Sequence, residues 1–248
     1  MTTPKRPGVI DRRGVTVGDG TTQHAVRRSI DTRARQWLLA ITLLAGLLAA
    51  VALTAAMAPA DRSFALLSEP VQSLMSVATP LFGILLVRDL RQTTGTVRIT
   101  PTLLAVALPA AVIGVFGVLV CAATLALAPA DIADQPWRHA GTIAVGSVLT
   151  QLVAGLVGVG LGLLLRSPVV AFLATIVLPL GTYALLGAVD ALRPAQPWLT
   201  PYGSLQYLLS GDMSALRWAQ WLTVVLIWNV GLVAAGLALF KRHGQSGR

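Results

Sequence analysis

Residues 88–101, RDLRQTTGTVRITP, separate two long apolar runs of the chain. The run before them, residues 64–87, holds one acid and no base, and the run after them, residues 103–128, holds no charge. A helix of about 17–25 apolar residues matches the thickness of the hydrocarbon core of a bilayer. Residues 88–101 are therefore predicted to form a polar loop between two membrane-spanning helices.

Six apolar runs of this length occur in the 248 residues. They predict an all-α integral membrane protein with spans at about 37–58, 64–87, 103–128, 140–165, 168–189 and 219–240. Only 12% of the residues are charged, which leaves too few polar faces for a soluble helical protein. We expect residues 23–242 to form one transmembrane domain, with a disordered cytoplasmic tail at 1–22 and a short cytoplasmic tail at 243–248.

The distribution of basic residues predicts the orientation of these spans. If the N-terminus is cytoplasmic, the segments on that side carry 15 of the 19 lysines and arginines. This pattern obeys the positive-inside rule and also places the C-terminus in the cytoplasm. Topology and contact with anionic lipid thus explain the net charge of +9, and we predict no nucleic-acid partner. Arginine outnumbers lysine 17 to 2, as in GC-rich bacteria, so a bacterial cell membrane is the expected location.

The segment before the first span is predicted to be an amphipathic helix on the inner membrane surface. In QHAVRRSIDTRARQW, residues 23–37, the apolar residues Val26, Ile30, Ala34 and Trp37 recur at helical spacing, and the arginines lie mostly on other faces. Such a helix lies with its apolar face in the bilayer surface. The alternative is a basic flank that only fixes the topology.

Two spans carry small residues at every fourth position. These stripes are Thr42, Gly46, Ala50 and Thr54 in the first span, and Thr150, Ala154, Gly158 and Gly162 in the fourth. Small residues let two helix backbones approach closely in lipid. The stripes could pack within one chain or between two chains, and the sequence does not distinguish these cases.

The chain lacks the residue patterns of an enzyme or of an ion-driven carrier. The phosphate-binding pattern GxxxxGK[ST] does not occur, the three histidines lie outside the spans, and Cys121 is the only cysteine. No charged residue occupies the middle of a span, although coupling to protons or sodium usually needs one. We therefore predict no catalytic residues, no metal site and no cofactor in this chain.

Two amides, Gln151 and Asn229, lie near the middle of the fourth and sixth spans. One interpretation is a hydrogen bond from each amide to a neighbouring helix, worth about 0.6 kcal/mol on average. The other interpretation is that both amides line a substrate path.

Three segments resemble one family, the ABC-2-type permeases, which are the membrane subunits of ATP-driven exporters. RRSIDTRARQWLL (27–39) resembles the segment that leads into the first span, and RDLRQTTGTVRIT (88–100) resembles the loop between spans two and three. WLTPYGSLQYLL (198–209) resembles the segment before the last span, which in the family forms re-entrant helices on the outer side. The resemblance covers roughly residues 25–242, although the family usually has Glu where Asp89 stands.

The resemblance implies an ABC-2 exporter-type transmembrane domain that binds no ATP itself. A separate ABC ATPase subunit would hold ATP and Mg, and two copies of this chain, or one copy and a similar permease, would form the path. In the family, the loop between spans two and three contacts the ATPase, and Asp89, Gln92 and Thr94 match its acid, Gln and Thr. The predicted coupling residues are Arg88, Asp89, Leu90, Arg91, Gln92, Thr94, Gly95 and Arg98.

Other classes of function stay open at this point. Arg88, Arg91 and Arg98 are also explained by the positive-inside rule alone. The chain could be a membrane anchor, sensor or immunity subunit that does not transport, or an ATP-independent channel or carrier. A neighbouring reading frame that encodes GxxxxGK[ST] would favour the permease.

Overall fold

The computed structural model describes residues 33–92, 99–128 and 133–245, and for residues 92, 99–101 and 240–245 it describes the backbone alone. In these ranges the chain is helical and contains no strand. The five longest helices are α1 (Arg33–Ala56), α2 (Phe64–Gln92), α3 (Ile99–Ala126), α4 (Ala140–Leu164) and α5 (Pro168–Ala188). They are followed by a 3-10 helix (Asp190–Ala195), α6 (Gln196–Leu199), α7 (Pro201–Ser210), α8 (Ala215–Val225), a π-helical segment (Leu226–Gly231) and α9 (Leu232–Gln245). Another 3-10 helix, Pro59–Asp61, precedes α2.

Six helical segments in the described ranges are long and apolar enough to cross a membrane, which confirms the prediction of an all-α membrane protein. The sixth is continuous through α8, the π-helical segment and α9. It begins at Ala215, four residues before the predicted start, because the Ser214 hydroxyl accepts a hydrogen bond from the Arg217 N–H and so caps the helix. The predicted tail at 1–22 and most of the predicted surface helix lie outside the described residues, and residues 33–37 form the first turn of α1.

The helices alternate in direction along the chain, so the bundle has two distinct ends. Arg35 near the start of α1 meets Asp89 near the end of α2, while Gly46 in mid-α1 meets Met75 of α2. We call the end that carries Arg35 and Asp89 the basic end, and the end that carries the segment between α5 and α8 the loop end. The chain leaves α9 at the basic end, where α1 also begins.

The helices α2 and α4 make the closest backbone contact of the bundle. A Cβ atom on Gly83 would lie 2.5 Å from the carbonyl oxygen of Gly155, and a Cβ atom on Gly158 would overlap the backbone of Pro80. Only glycine permits this approach, which gains dispersion contacts and leaves no room for lipid. The small-residue stripe of α4 therefore packs within the chain.

The stripe of α1 also packs within the chain. Thr42, Gly46 and Ala50 are buried, and the Met75 thioether of α2 fills the space beside Gly46. The rest of α1 exposes large apolar side chains such as Trp37 and Leu48, as expected for a surface against lipid. Both stripes therefore contribute to helix contacts within one chain, through Thr42, Gly46 and Ala50 of α1 and Gly158 and Gly162 of α4, whereas Thr150 and Ala154 of α4 face a cavity.

Helix α5 stands apart from this block. Of its 21 residues, Ala171 alone is buried. At the loop end, α5 contacts the segment that follows it, because Gln196 Nε2 donates a hydrogen bond of 2.8 Å to the Tyr183 carbonyl and the rings of Tyr183 and Tyr202 meet edge to face. Along residues 175–180, a cavity separates α5 from α2 and α4.

The segment before the last span is helical, not an extended loop. Its longest helix, α7, is capped at its start by the side chain of Thr200, and it is followed by Gly211, which has a positive φ of 77°. Leu208 of α7 is fully buried against Gly146 of α4. Because Gly146 is six residues from the start of α4, this contact lies about 9 Å along the bundle axis. Helix α7 therefore inserts into the loop end between α4 and α5.

Candidate functional site

An ion pair joins the first two spans at the basic end. Arg35 Nη2 donates a hydrogen bond to Asp89 Oδ2. The Arg35 side chain is only 5% exposed, whereas Asp89 is 51% exposed. A buried guanidinium without a carboxylate partner is strongly unfavourable, so this pair holds α1 against the last turn of α2. The Asp89 carboxylate thus has a partner within the chain.

A second arginine at the basic end, Arg91 in the last turn of α2, joins α2 to α4. Arg91 Nη2 donates a hydrogen bond of 2.7 Å to the Leu163 carbonyl in the last turn of α4. The last carbonyl groups of a helix have no partner within the helix, and a basic side chain there also interacts favourably with the helix dipole. Arg91 therefore caps α4, and the ends of α1, α2 and α4 are joined by polar contacts at the basic end.

The predicted coupling residues fall into three groups. Arg88 and Asp89 are exposed, while Leu90 and Arg91 are partly buried. Gln92 ends α2, and only its backbone is described. Thr94, Gly95 and Arg98 lie outside the described residues. Contact between these residues and a partner stays a prediction, and Asp89 and Arg91 have roles within the chain that the sequence did not indicate.

A buried polar network crosses the middle of the bundle. Gln151 Nε2 of α4 donates to the Gln72 carbonyl and to Gln72 Oε1 of α2, at 3.0 and 2.9 Å. Thr79 donates to Gln151 Oε1 at 2.7 Å, and Gln72 Nε2 donates to the Gly114 carbonyl of α3 at 3.1 Å. Gln72, Thr79 and Gln151 are fully buried. Gln151 therefore bonds to a neighbouring helix, as one of the two interpretations requires, and it does not line the cavity beside α5.

Asn229 has a different environment from Gln151. It lies in the π-helical segment of the sixth span and is 5% exposed. Neither its Nδ2 nor its Oδ1 has a hydrogen-bond partner among the described residues. The neighbouring Trp228 is anchored, because its indole N–H donates to the Leu199 carbonyl at 2.8 Å. A π-helical turn contains an extra residue and often marks a functional position. Burial of the Asn229 amide in this turn without a partner among the described residues lowers the stability of the protein.

A cavity of about 330 Å³ lies between α2, α4, α5 and α7, toward the loop end. The apolar part of its wall consists of Val77, Pro80, Val153, Ala154, Val157, Ile176, Pro179, Leu180, Pro201, Leu205 and Leu209. The polar part consists of Glu69, Ser73, Ser76, Thr150, Thr175, Tyr202 and Gln206. Glu69, Ser73 and Ser76 recur at helical spacing and form one polar face of α2. These residues were not predicted as site residues, although a glutamate with serines four and seven residues later indicates a polar face of a helix.

The arrangement suits the binding of a small molecule. The cavity is mostly apolar, and its polar groups are a carboxylate, hydroxyls and an amide. In residues 33–92, 99–128 and 133–245, no three His, Cys, Asp or Glu side chains lie close enough together to hold a metal ion. A ligand in this cavity would touch α2, α4, α5 and α7 at once, so that its binding depends on how α5 and α7 sit against the other helices.

Comparison of the chain with known proteins found no match among family models, curated proteins or solved structures. The resemblance to ABC-2-type permeases therefore depends on the segments 27–39, 88–100 and 198–209, together with the six spans.

Proposed function

We propose that the chain is the membrane-spanning permease subunit of an ATP-driven exporter of the ABC-2 type. A separate ATPase subunit would grip the loop at 88–98, and the cavity beside α5 would form part of the substrate path. The observation that carries the proposal is the course of α2. This helix runs without a break from the cavity wall at Glu69 to the basic end at Asp89.

The orientation of the bundle supports a cytoplasmic position for this loop. The basic end carries Arg33, Arg35, Arg88, Arg91 and Arg166, whereas five of the six acids in the described residues, Asp61, Glu69, Asp134, Asp190 and Asp212, lie toward the loop end. Basic segments stay on the cytoplasmic side during insertion. An ATPase in the cytoplasm then meets the exposed Arg88 and the loop that follows it.

The packing supports transmission of movement from this loop to the cavity. The Arg35–Asp89 ion pair joins α1 to α2, and the hydrogen bond of Arg91 joins α2 to α4. The close packing of the glycines between α2 and α4 resists sliding of one helix along the other. A force on the loop would therefore move α1, α2 and α4 together. Because a cavity lies between α5 and this block, a change in the distance between them would open or close it.

The first test compares two charge reversals in the full chain, expressed together with the ATPase subunit that the proposal requires. Arg88→Glu changes an exposed arginine at the basic end, and Arg138→Glu makes the same change at the loop end. We expect Arg88→Glu to reduce co-purification of the ATPase about ten-fold, because a charge attraction becomes a repulsion, and Arg138→Glu to leave it unchanged. Equal behaviour of the two variants, or no co-purification with the unchanged chain, would refute the coupling role.

The second test measures on which side the loop lies. The only natural cysteine, Cys121, is buried in α3, so it does not react with membrane-impermeant reagents. A cysteine introduced by Thr94→Cys should be labelled in inverted vesicles and protected in intact cells. Labelling in intact cells would place the loop outside and would exclude an ATPase contact there.

A further inference from the structure

Among the described residues, Glu69 is the only acidic or basic side chain in the cavity wall. It is the sixth residue of α2, about 8 Å along the helix from Phe64, and it is partly buried. It forms no ion pair with any residue in the described part of the chain. A carboxylate that is partly withdrawn from water and has no cation nearby is costly, so a chain that keeps one has a use for it.

The rest of the polar wall is rich in hydrogen-bond acceptors. Pro80 and Pro179 have no N–H, so they cannot donate to the carbonyl groups of Ser76 and Thr175, four residues earlier in their helices. All four of these residues line the cavity, on the facing helices α2 and α5. The Ser76 and Thr175 hydroxyls donate to backbone carbonyls of their own helices, which leaves their oxygen lone pairs available. The cavity therefore carries one carboxyl group and several acceptors, and no basic side chain of the described residues lines it.

We infer that this cavity binds an amphipathic molecule with a positively charged group, and that Glu69 is its counter-ion. The inference rests on the proposed function and specifies the class of its substrate. The cationic group would lie beside Glu69 at the loop end of the cavity, and the apolar body would lie against Val77, Val153 and Val157. A volume of about 330 Å³ is at the lower end of the range for small-molecule sites. The predicted occupant is therefore a small hydrophobic cation, not a peptide or a whole lipid.

The test uses two hydrophobic ions of the same shape and opposite charge, tetraphenylphosphonium and tetraphenylborate. Their binding to the full chain is measured by equilibrium dialysis in nanodiscs of zwitterionic phospholipid, with empty nanodiscs as the baseline for partition into lipid. We expect saturable binding of tetraphenylphosphonium alone. Glu69→Gln should weaken it about ten-fold, because the amide keeps the shape of the carboxylate and loses its charge.

Two further variants locate the site. Asp61→Asn removes an exposed acid near the start of α2, outside the cavity wall, and should leave binding unchanged. Ala154→Leu adds bulk inside the cavity and should abolish binding, provided that its elution profile and helix content match those of the unchanged chain. If Ala154→Leu fails to fold, the ten-fold weaker binding expected for Glu69→Gln, which adds no bulk, still tests the site.

Several results would overturn the inference. These are no saturable binding of tetraphenylphosphonium, equal binding of the two ions, an equal loss in Asp61→Asn and Glu69→Gln, or a tightly held phospholipid that the cation does not displace. The assay uses the permease without ATPase, so it can succeed where co-purification fails. Binding without an ATPase partner would favour a carrier, and a bound ATPase without cation binding would favour a permease for another substrate class.

Discussion

Replacing Gly158 with alanine is expected to destabilise the contact between α2 and α4, whereas replacing Gly181 with alanine is not. A Cβ atom on Gly158 would lie 2.7 Å from the Pro80 Cα and 2.8 Å from the Pro80 carbonyl carbon. Both are backbone atoms, and they cannot rotate away as the end of a side chain can. A Cβ atom on Gly181 of α5 would have no heavy atom within 4 Å.

The comparison isolates the cost of this close approach. Alanine favours a helix over glycine by up to about 1 kcal/mol at either position, so this contribution cancels between the two variants. What remains is the cost of inserting a methyl group between two packed backbones, typically about 1–3 kcal/mol. We therefore expect Gly158→Ala to be less stable than Gly181→Ala by about 1–3 kcal/mol.

The free energy of unfolding is measured in detergent micelles by titration with dodecyl sulfate, followed by tryptophan fluorescence. The unfolded state in this assay keeps much of its helix, so the measurement reports the packing of helices on one another. If the two variants differ by less than about 0.5 kcal/mol, α2 and α4 are not in backbone contact, and the rigid unit required for coupling does not exist.

Three other perturbations test single contacts. Arg35→Asp or Asp89→Arg alone should cost about 1–3 kcal/mol, since each places like charges together, and the double exchange should recover at least half of this loss in the same titration. Arg217 donates a hydrogen bond to Asp212 and also attracts it electrostatically, and this lowers the pKa of Asp212 below its ordinary value of 3.8. The contact is therefore present at neutral pH and lost as the pH falls below about 4, so Asp212→Asn should show a smaller drop in melting temperature between pH 6 and pH 2 than the unchanged chain. Asn229→Leu removes an unpartnered buried amide and should be neutral or stabilising by about 1 kcal/mol; a loss of more than 1 kcal/mol would mean that the amide has a partner.

The apolar runs were sufficient to predict the six spans, because their length is fixed by the bilayer and not by contacts within the protein. The close contacts between helices were only partly predictable. Residues at every fourth position showed that Gly46 and Gly158 lie on packing faces, but the identity of the partner helix depends on how the helices are arranged. That arrangement places both residues against α2.

The polar sites show where sequence reasoning stops. Gln72, the ninth residue of α2, was not predicted as a site residue, yet it is the residue that joins Gln151 to α3. The resemblance predicted that Asp89 contacts an ATPase subunit, and this stays a prediction, but nothing in the sequence indicated its ion pair with the buried Arg35, 54 positions earlier in the chain. Both contacts join residues that are distant in sequence, and no periodic pattern records such a pair.

The place where the bundle should move follows from the distribution of these contacts. Helix α2 is bound to α1 by Arg35–Asp89, to α3 and α4 by the amide network, and again to α4 by its glycines, so a displacement of the loop at 88–98 carries α1–α4 as one body. Helix α5 has no comparable polar contact with this body in the described ranges, and its loop end is fastened to α6 and α7 through Tyr183. If the chain is the proposed permease, we expect ATP in the partner subunit to change the distance between α5 and α2 while the distance between α2 and α4 stays fixed. Spin labels introduced at exposed positions of these helices measure both distances, and a change between α2 and α4 as large as that between α2 and α5 would contradict the reasoning.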